Sequence, residues 1–250
     1  CSSDLSALAV REGVAAVAAK YDNAYWSRCE EEHRFPQEVF DDLGNGGWFG
    51  LCIPEEYGGG GQGLLELAVA NMTLCASGGV AGTFFYVTTP GFGAMTLTRH
   101  GSEEQKQRIL PGLADGSVQF CLALTEPDAG SNAIEIKTAA RPAPDDSGDF
   151  LIKGQKVWIS NVENADWMVA VTRTIPADET REHGLSRTGG FTLFLVEVHD
   201  PVTALDELPA SPDLLHLEPT GVERDRVLAG HLPRAALQRR PALPRRCRPG

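Results

Sequence analysis

VQFCLALTEPDAGSNAIEIKTAA (118–140) is where this sequence changes its period. Upstream of it, apolar residues recur every three or four positions, as on a helix face. From it onward the apolar residues fall in short runs rich in β-branched and aromatic side chains, parted by turn residues. Within the stretch, two strand-like runs, VQFCLAL and IEIKTAA, are joined by a turn of Pro, Ala, Gly and Ser that also carries Glu126 and Asp128. Gly130 permits a bend that aims several N–H groups, together with the Thr125 and Ser131 hydroxyls, into one pocket suited to carbonyl and phosphate oxygens. In that arrangement both carboxylates must turn away from the ligand or cap neighbouring N–H groups. The competing reading is a plain hairpin turn with Asx-type bonds.

Downstream lie DFLIKGQKVWIS (149–160), WMVAVTR (167–173) and FTLFLVEVH (191–199), with polar loops at 142–149 and 175–190. Five strands in about eighty residues without an intervening helix predict an antiparallel sheet or small barrel. If KVWISN continues as a strand, its period of two puts Trp158 and Ser160 on one face and Val157 and Ile159 on the other. A flat aromatic surface beside a hydroxyl donor fits a planar heteroaromatic ring. The alternative is a core Trp beside a satisfied Ser.

Upstream, LSALAVREGVAAVAAK (5–20) is rich in Ala and repeats at helical spacing through Leu5, Leu8, Ala9, Ala16 and Ala19. A second helix is expected from Pro36, presenting Val39, Phe40 and Leu43 and stopping at Gly44 or Gly46. LLELAVANMTLCAS (64–77) is apolar nearly all round and predicts a buried helix. SEEQ at 102–105 fits a capping box, and Pro111 is expected to bend or end the helix it opens. YGGGGQG satisfies G-x-G-x-x-G at Gly58, Gly60 and Gly63, but Pro54 breaks the segment before it and no parallel βαβ unit surrounds it. It reads as a flexible turn.

The net charge of −12 argues against nucleic acid or an anionic membrane surface as the main partner. The last twenty residues hold six of the 22 basic residues and none of the 34 acids, a composition apart from the rest. The six cysteines form no C-x-x-C pair and have no His at metal spacing, so they read as reduced thiols rather than metal ligands. No apolar run reaches the ~18 residues of a membrane span. There is no G-x-S-x-G of a serine hydrolase.

Four segments, PEEYGG (54–59), HGSEEQKQRILPGLADG (100–116), ALTEPDAGSN (123–132) and GQKVWISN (154–161), together resemble the acyl-CoA dehydrogenase family in order and spacing, over about residues 35–200. The resemblance implies an α+β multidomain chain: an N-terminal helical domain over 1–117, then an antiparallel β-barrel or sandwich domain over 118–213. Residues 214–250 stand as an aberrant or disordered tail where the family continues into a C-terminal helical domain. It implies FAD as cofactor, contacted by Leu122, Ala123, Leu124, Thr125, Gly130 and Ser131, and along its ring by Trp158, Ile159 and Ser160. Thr125 would lie near the pyrimidine edge, and Ser131 near the pyrophosphate or the pantetheine of the substrate.

The implied reaction is α,β-dehydrogenation of an acyl-CoA thioester, with electron-transfer flavoprotein as electron acceptor and a homo-oligomeric parent enzyme in the bacterial cytoplasm or mitochondrial matrix. The family's catalytic Glu belongs to the C-terminal domain, and no Glu here is assigned to that role by motif. The chain therefore reads as a truncated or frame-shifted piece, inactive alone. A flavin oxidase or monooxygenase of the same fold, and a non-catalytic product, are the alternatives.

Overall fold

The computed structural model describes residues 2–79, 82–144, 150–180, 182, 184–186, 188–198 and 214–217, with the side chains of 2–5, 83 and 214–217 aside. The chain divides into two compact units. The first comprises 1–123, 159–171 and 193–199; the second comprises 124–158, 172–192 and 200–250.

The first unit is mainly helical. Its helices are α1 (Ser2–Ala18), α2 (Asn23–Glu31), α3 (Gln37–Asn45), α4 (Leu64–Ala76), α5 (Thr83–Tyr86), α6 (Met95–His100) and α7 (Glu103–Asp115). A π-helical stretch, Val87–Ala94, carries Pro90 between α5 and α6. The capping box is as expected: Ser102 Oγ accepts from Gln105 N at 3.2 Å, and Ser102 N donates to Gln105 Oε1 at 2.9 Å. Pro111 does not end α7, which runs on to Gly116 in the left-handed conformation. Pro36 is the N-cap of α3 rather than its first helical residue. On α4 only Glu66, Leu67, Ala70 and Leu74 are buried, while Leu64, Leu65 and Met72 are exposed, so the helix is not buried all round.

Two apolar clusters hold this unit together. One packs Val14, Phe40, Leu43, Phe49, Leu74, Phe85 and Tyr86. Within it the Phe40 and Phe49 rings lie 4.6 Å apart, and the Phe40 and Phe85 rings meet edge-on at 5.1 Å. Each such ring pair adds about 1 kcal/mol beyond the area it buries. The other cluster joins Ile109, Leu110 and Leu113 of α7 to Phe120, Trp167 and Val169. Those last residues belong to strands β1 (Phe120–Ala123) and β4 (Trp167–Arg173), which run parallel with Phe120 opposite Trp167 and Ala123 opposite Ala170.

In the second unit β2 (Ala139–Pro142) and β3 (Phe150–Val157) are antiparallel, with Ala140 opposite Ile152. β3 pairs antiparallel with β6 (Leu214–Leu217). Ala139 pairs Arg173, the last residue of β4, in parallel sense. β5 (Phe191–Glu197) also pairs β4. The sheet is therefore mixed rather than antiparallel throughout. IEIKTAA is not one strand either: Ala133–Glu135 forms a 3₁₀ turn and β2 begins only at Ala139. The buried Glu126 carboxylate accepts the N–H groups of Lys137 and Thr138, which a ladder partner would otherwise take. The tail assigned from sequence lies outside the described residues from 218 onward.

Candidate functional site

The turn 124–132 is built from its hydrogen bonds. Glu126 N donates to Ala129 O, and Ala129 N to Glu126 O, both at 3.1 Å, closing a two-residue reversal over Pro127 and Asp128. Val157 N donates to Thr125 O at 2.9 Å, and Lys156 Nζ donates to Leu124 O at 2.9 Å. Both carbonyls before the reversal are thus drawn toward the end of β3.

The two acids part company. Glu126 turns inward: Oε1 accepts from Thr138 N at 2.9 Å, Thr138 Oγ1 at 2.5 Å and Lys156 Nζ at 2.9 Å, and Oε2 accepts from Lys137 N at 2.7 Å. Lys156 is fully buried and Glu126 nearly so. Burial opposes ionisation of Glu126, but the bonds from Thr138, Lys137 and Lys156 outweigh it and hold the carboxyl below its ordinary range. Burial likewise draws the Lys156 ammonium below its usual value, against the pull of Glu126. Asp128 is exposed and faces Lys137 Nζ at 3.3 Å in solvent. One carboxylate therefore caps two N–H groups and the other is turned out.

Gly130 and Ser131 are exposed, and a Cβ built on Gly130 would meet nothing within 4 Å. Gly130 is not in the left-handed region, so the bend does not depend on it. What its bare Cα leaves is open approach to the turn. A different glycine is structurally required: a Cβ on Gly154 of β3 would lie 2.2 Å from Thr138 Oγ1, the hydroxyl that binds Glu126.

β3 ends at Val157. Trp158 has φ of 58° and is 71% exposed, so the alternation that would align it with Ser160 does not extend past the strand. A Trp in the left-handed region is disfavoured by about 1–2 kcal/mol and here gains no burial in exchange. An indole held out in that way is available for a flat ligand.

Leu122, Ala123, Ile159 and Ser160 lie in the first unit. Leu122 and Ala123 close β1 opposite Val169 and Ala170. Ser160 lies on the wall of a cavity of about 500 Å³ that is also lined by Phe35, Phe84, Phe85 and Thr88 and by Asn161 and Asn164. Asn161, at φ of 69°, donates from Nδ2 to Gln119 Oε1 at 3.1 Å and accepts from Asn164 Nδ2 at 3.1 Å. Its lining thus combines aromatic rings with amides and a hydroxyl, and also takes in the ionisable side chains of His33, Arg34 and Glu163. In the second unit the structure gathers Leu124, Thr125 and Trp158 at the end of β3, with Gly130 and Ser131 on the open side of the turn.

Sequence reasoning missed Lys156 and Thr138, and the wall made by Phe35 and Phe84. A signal for Lys156 existed. Ile152, Gly154 and Lys156 share one face of β3, so a strand reading already puts an ammonium inward beside Ile152, where it needs a carboxylate. The Gly run at 58–63 is a closed turn and not a flexible one: Gly60 N binds Gly50 O, Gly61 N binds Ile53 O and Gln62 N binds Leu51 O, at 2.9, 2.8 and 2.7 Å.

The family model described as "Acyl-CoA dehydrogenase, N-terminal domain" matches residues 6–117, and "Acyl-CoA dehydrogenase, middle domain" matches 121–212. Acyl-CoA dehydrogenase FadE12 of Mycobacterium tuberculosis is 39% identical over 166 residues, 66% of this chain and 42% of that protein. Mitochondrial isovaleryl-CoA dehydrogenase of Solanum tuberosum is 31% identical over 189 residues, 75% of this chain and 43% of that protein. The chain thus spans less than half the length of these relatives. A glutaryl-coenzyme A dehydrogenase in complex with glutaryl-CoA superposes with a TM-score of 0.73 at 27% identity, over 89% of this chain and 56% of the other. A glutaryl-CoA dehydrogenase of Mycobacterium smegmatis in complex with FADH2 gives 0.72 at 26%, over 89% and 55%. With two consecutive domain matches and relatives agreeing in sequence and in fold, this chain belongs to the acyl-CoA dehydrogenase family.

Proposed function

We propose that this chain forms the flavin-side wall of an FAD-dependent acyl-CoA dehydrogenase. The observation that carries the reading is the parting of the two acids at 126 and 128. The turn buries the Glu126 carboxylate on Lys156 and pairs Asp128 with Lys137 Nζ, so each negative charge has its own cation beside it and neither stands unneutralised before an electron-rich ligand. The open Cα of Gly130 and the outward indole of Trp158 leave room and surface for such a ligand.

Thr125 would donate to the pyrimidine edge of the flavin, Gly130 would admit the pyrophosphate, and Ser131 would bond the pyrophosphate or the substrate's pantetheine. Leu124 would supply apolar contact and Trp158 would flank the ring; Leu122, Ala123, Ile159 and Ser160, which lie in the other unit, are contacts that the family resemblance implies. FAD, when bound, supplies the acceptor for the β hydride of an acyl-CoA whose α proton goes to a carboxylate base. The chain's own part is to orient the ring and to present fixed N–H and O–H donors where negative charge grows. Electron-transfer flavoprotein is the acceptor the family reading implies.

No Glu of this chain is assigned as the base. The chain by itself is therefore expected to bind FAD weakly and not to dehydrogenate acyl-CoA. Titration with FAD, followed by quenching of Trp and flavin fluorescence, tests the reading. Saturable binding that falls about tenfold in Trp158→Ala supports it. An absence of binding at millimolar FAD, or turnover of acyl-CoA by the chain alone, counts against it.

A further inference from the structure

We propose that Lys156, held by Glu126, is a positioning residue that turns the Thr125 N–H toward the ligand side of the turn and strengthens it as a donor. The inference rests on the flavin-side reading above and deepens it. A trans peptide directs its C=O and its N–H in opposite directions. Leu124 O is bound by the buried Lys156 Nζ at 2.9 Å, so the N–H of the same peptide unit, that of Thr125, is turned away from the ammonium. The next unit is fixed independently, with Thr125 O taken by Val157 N and Glu126 N by Ala129 O. Of these two consecutive units, the one whose carbonyl a cation holds has its N–H directed away from that cation, and the other has both its carbonyl and its N–H taken within the chain.

The ion pair is poorly explained as a stabiliser. Two charges removed from water rarely improve on apolar side chains of the same volume. What an apolar residue at 156 could not do is bind the Leu124 carbonyl. Glu126 holds the ammonium in place at 2.9 Å and is itself fixed by three further hydrogen bonds, from Lys137 N, Thr138 N and Thr138 Oγ1. The other nearby ammonium, that of Lys137, is engaged outside with Asp128.

A cationic donor on a carbonyl also polarises the amide. It draws density from the nitrogen and makes the N–H a better donor, in the way hydrogen bonds in chains reinforce each other. A flavin gains negative charge at its pyrimidine edge on reduction, so a stronger Thr125 donor favours the reduced form over the oxidised one.

The test compares the chain with Glu126→Gln/Lys156→Met, which removes both charges together, and with Lys156→Arg, which keeps the cation. Each is titrated with oxidised FAD and, anaerobically, with reduced FAD, after circular dichroism has shown it folded. The ratio of the two dissociation constants should shift about tenfold against reduced FAD in the double variant, ~30 mV for a two-electron couple. Lys156→Arg should restore most of that shift. A folded double variant with an unchanged ratio overturns the proposal, because packing alone would weaken both forms alike.

If the unsubstituted chain binds neither form, the flavin reading falls separately, and amide hydrogen exchange decides the clamp. About tenfold faster exchange over 124–131 in the double variant, with the β2–β3 amides unchanged, upholds it. Unchanged exchange over the turn overturns it.

Discussion

Two turns of this chain carry glycine beside acids, and they use it in opposite ways. At 58–63 the backbone donors are consumed internally, as the N–H groups of 58–62 reach the carbonyls of 50, 51 and 53–55 and that of Gly63 reaches Glu66 Oε2. A Cβ on Gly59 would stand 2.1 Å from Ile53 O. At 124–132 the donors are arranged by side chains instead, Glu126 and Lys156, and Gly130 faces open space. The first turn is closed on itself, although it matches a nucleotide-binding pattern. The second is open, although its sequence carries two carboxylates. A glycine pattern reports that backbone can approach something; only the destination of each N–H says whether that something is a ligand or the chain itself.

The comparison breaks most visibly at Lys156. Lys156→Met alone leaves the buried Glu126 carboxylate without its cation, which should reduce stability by about 3–5 kcal/mol. Glu126→Gln/Lys156→Met should recover most of that loss, and urea midpoints for the two variants measure the difference. Equal loss in both would mean that the volume of the Lys side chain, and not its charge, supports the turn.

Gly59→Ala examines the closed turn. The added methyl cannot be met by a flexible side-chain end, because the nearest atoms are the Ile53 carbonyl and Cβ. A loss of about 1–3 kcal/mol is expected, with no change in any ligand affinity of the second turn. Thermal unfolding with FAD titration of the same preparation checks both halves.

Much of this was legible in the residues. The capping box at Ser102, the change of period after Gly116 and the reading of 58–63 as something other than a dinucleotide loop all rested on local chemistry, and local chemistry decides them. What was not legible depended on partners distant in sequence. β2 starts late because Glu126 takes the two N–H groups before it. The parallel pairing of β1 with β4 is set by packing on α7, which no periodicity encodes. Trp158 leaves the strand face through a backbone angle that a β-branched or aromatic run does not announce. α2 was missed because only Tyr25 and Cys29 are buried on it, although Asp22 accepts from Tyr25 N in the manner of an N-cap.

Acid gives a finer comparison between a buried carboxylate and an exposed one. Glu126 is held below its reference value of 4.5, so its contribution is complete above about pH 4.5 and is lost as the pH falls through its lower folded value. Glu38, bound by Tyr25 at 2.6 Å and by Arg34, is lowered to about 2, and its contribution is likewise lost as the pH falls toward that value. Its side chain is 53% exposed, so salt should screen its share. Urea midpoints between pH 5 and pH 2 should therefore keep the Glu126 part of the decline in 1 M salt and lose much of the Glu38 part. The double variant at 126 and 156 should flatten the salt-resistant part alone.

The smallest effect on stability is expected where the effect on binding is most telling. Gly130→Ala adds a methyl into open space at a residue outside the left-handed region, so the unfolding midpoint should move by less than about 0.5 kcal/mol. If the turn receives a pyrophosphate, the same methyl occupies the approach that the bare Cα leaves open, and FAD affinity should fall about tenfold or more. Gly59→Ala supplies the mirror image, a stability loss without a binding loss. Were Gly130→Ala to leave both quantities unchanged, the open face of 124–132 would be surface like any other, and the contrast between the two turns would concern only how each is held and not what either holds.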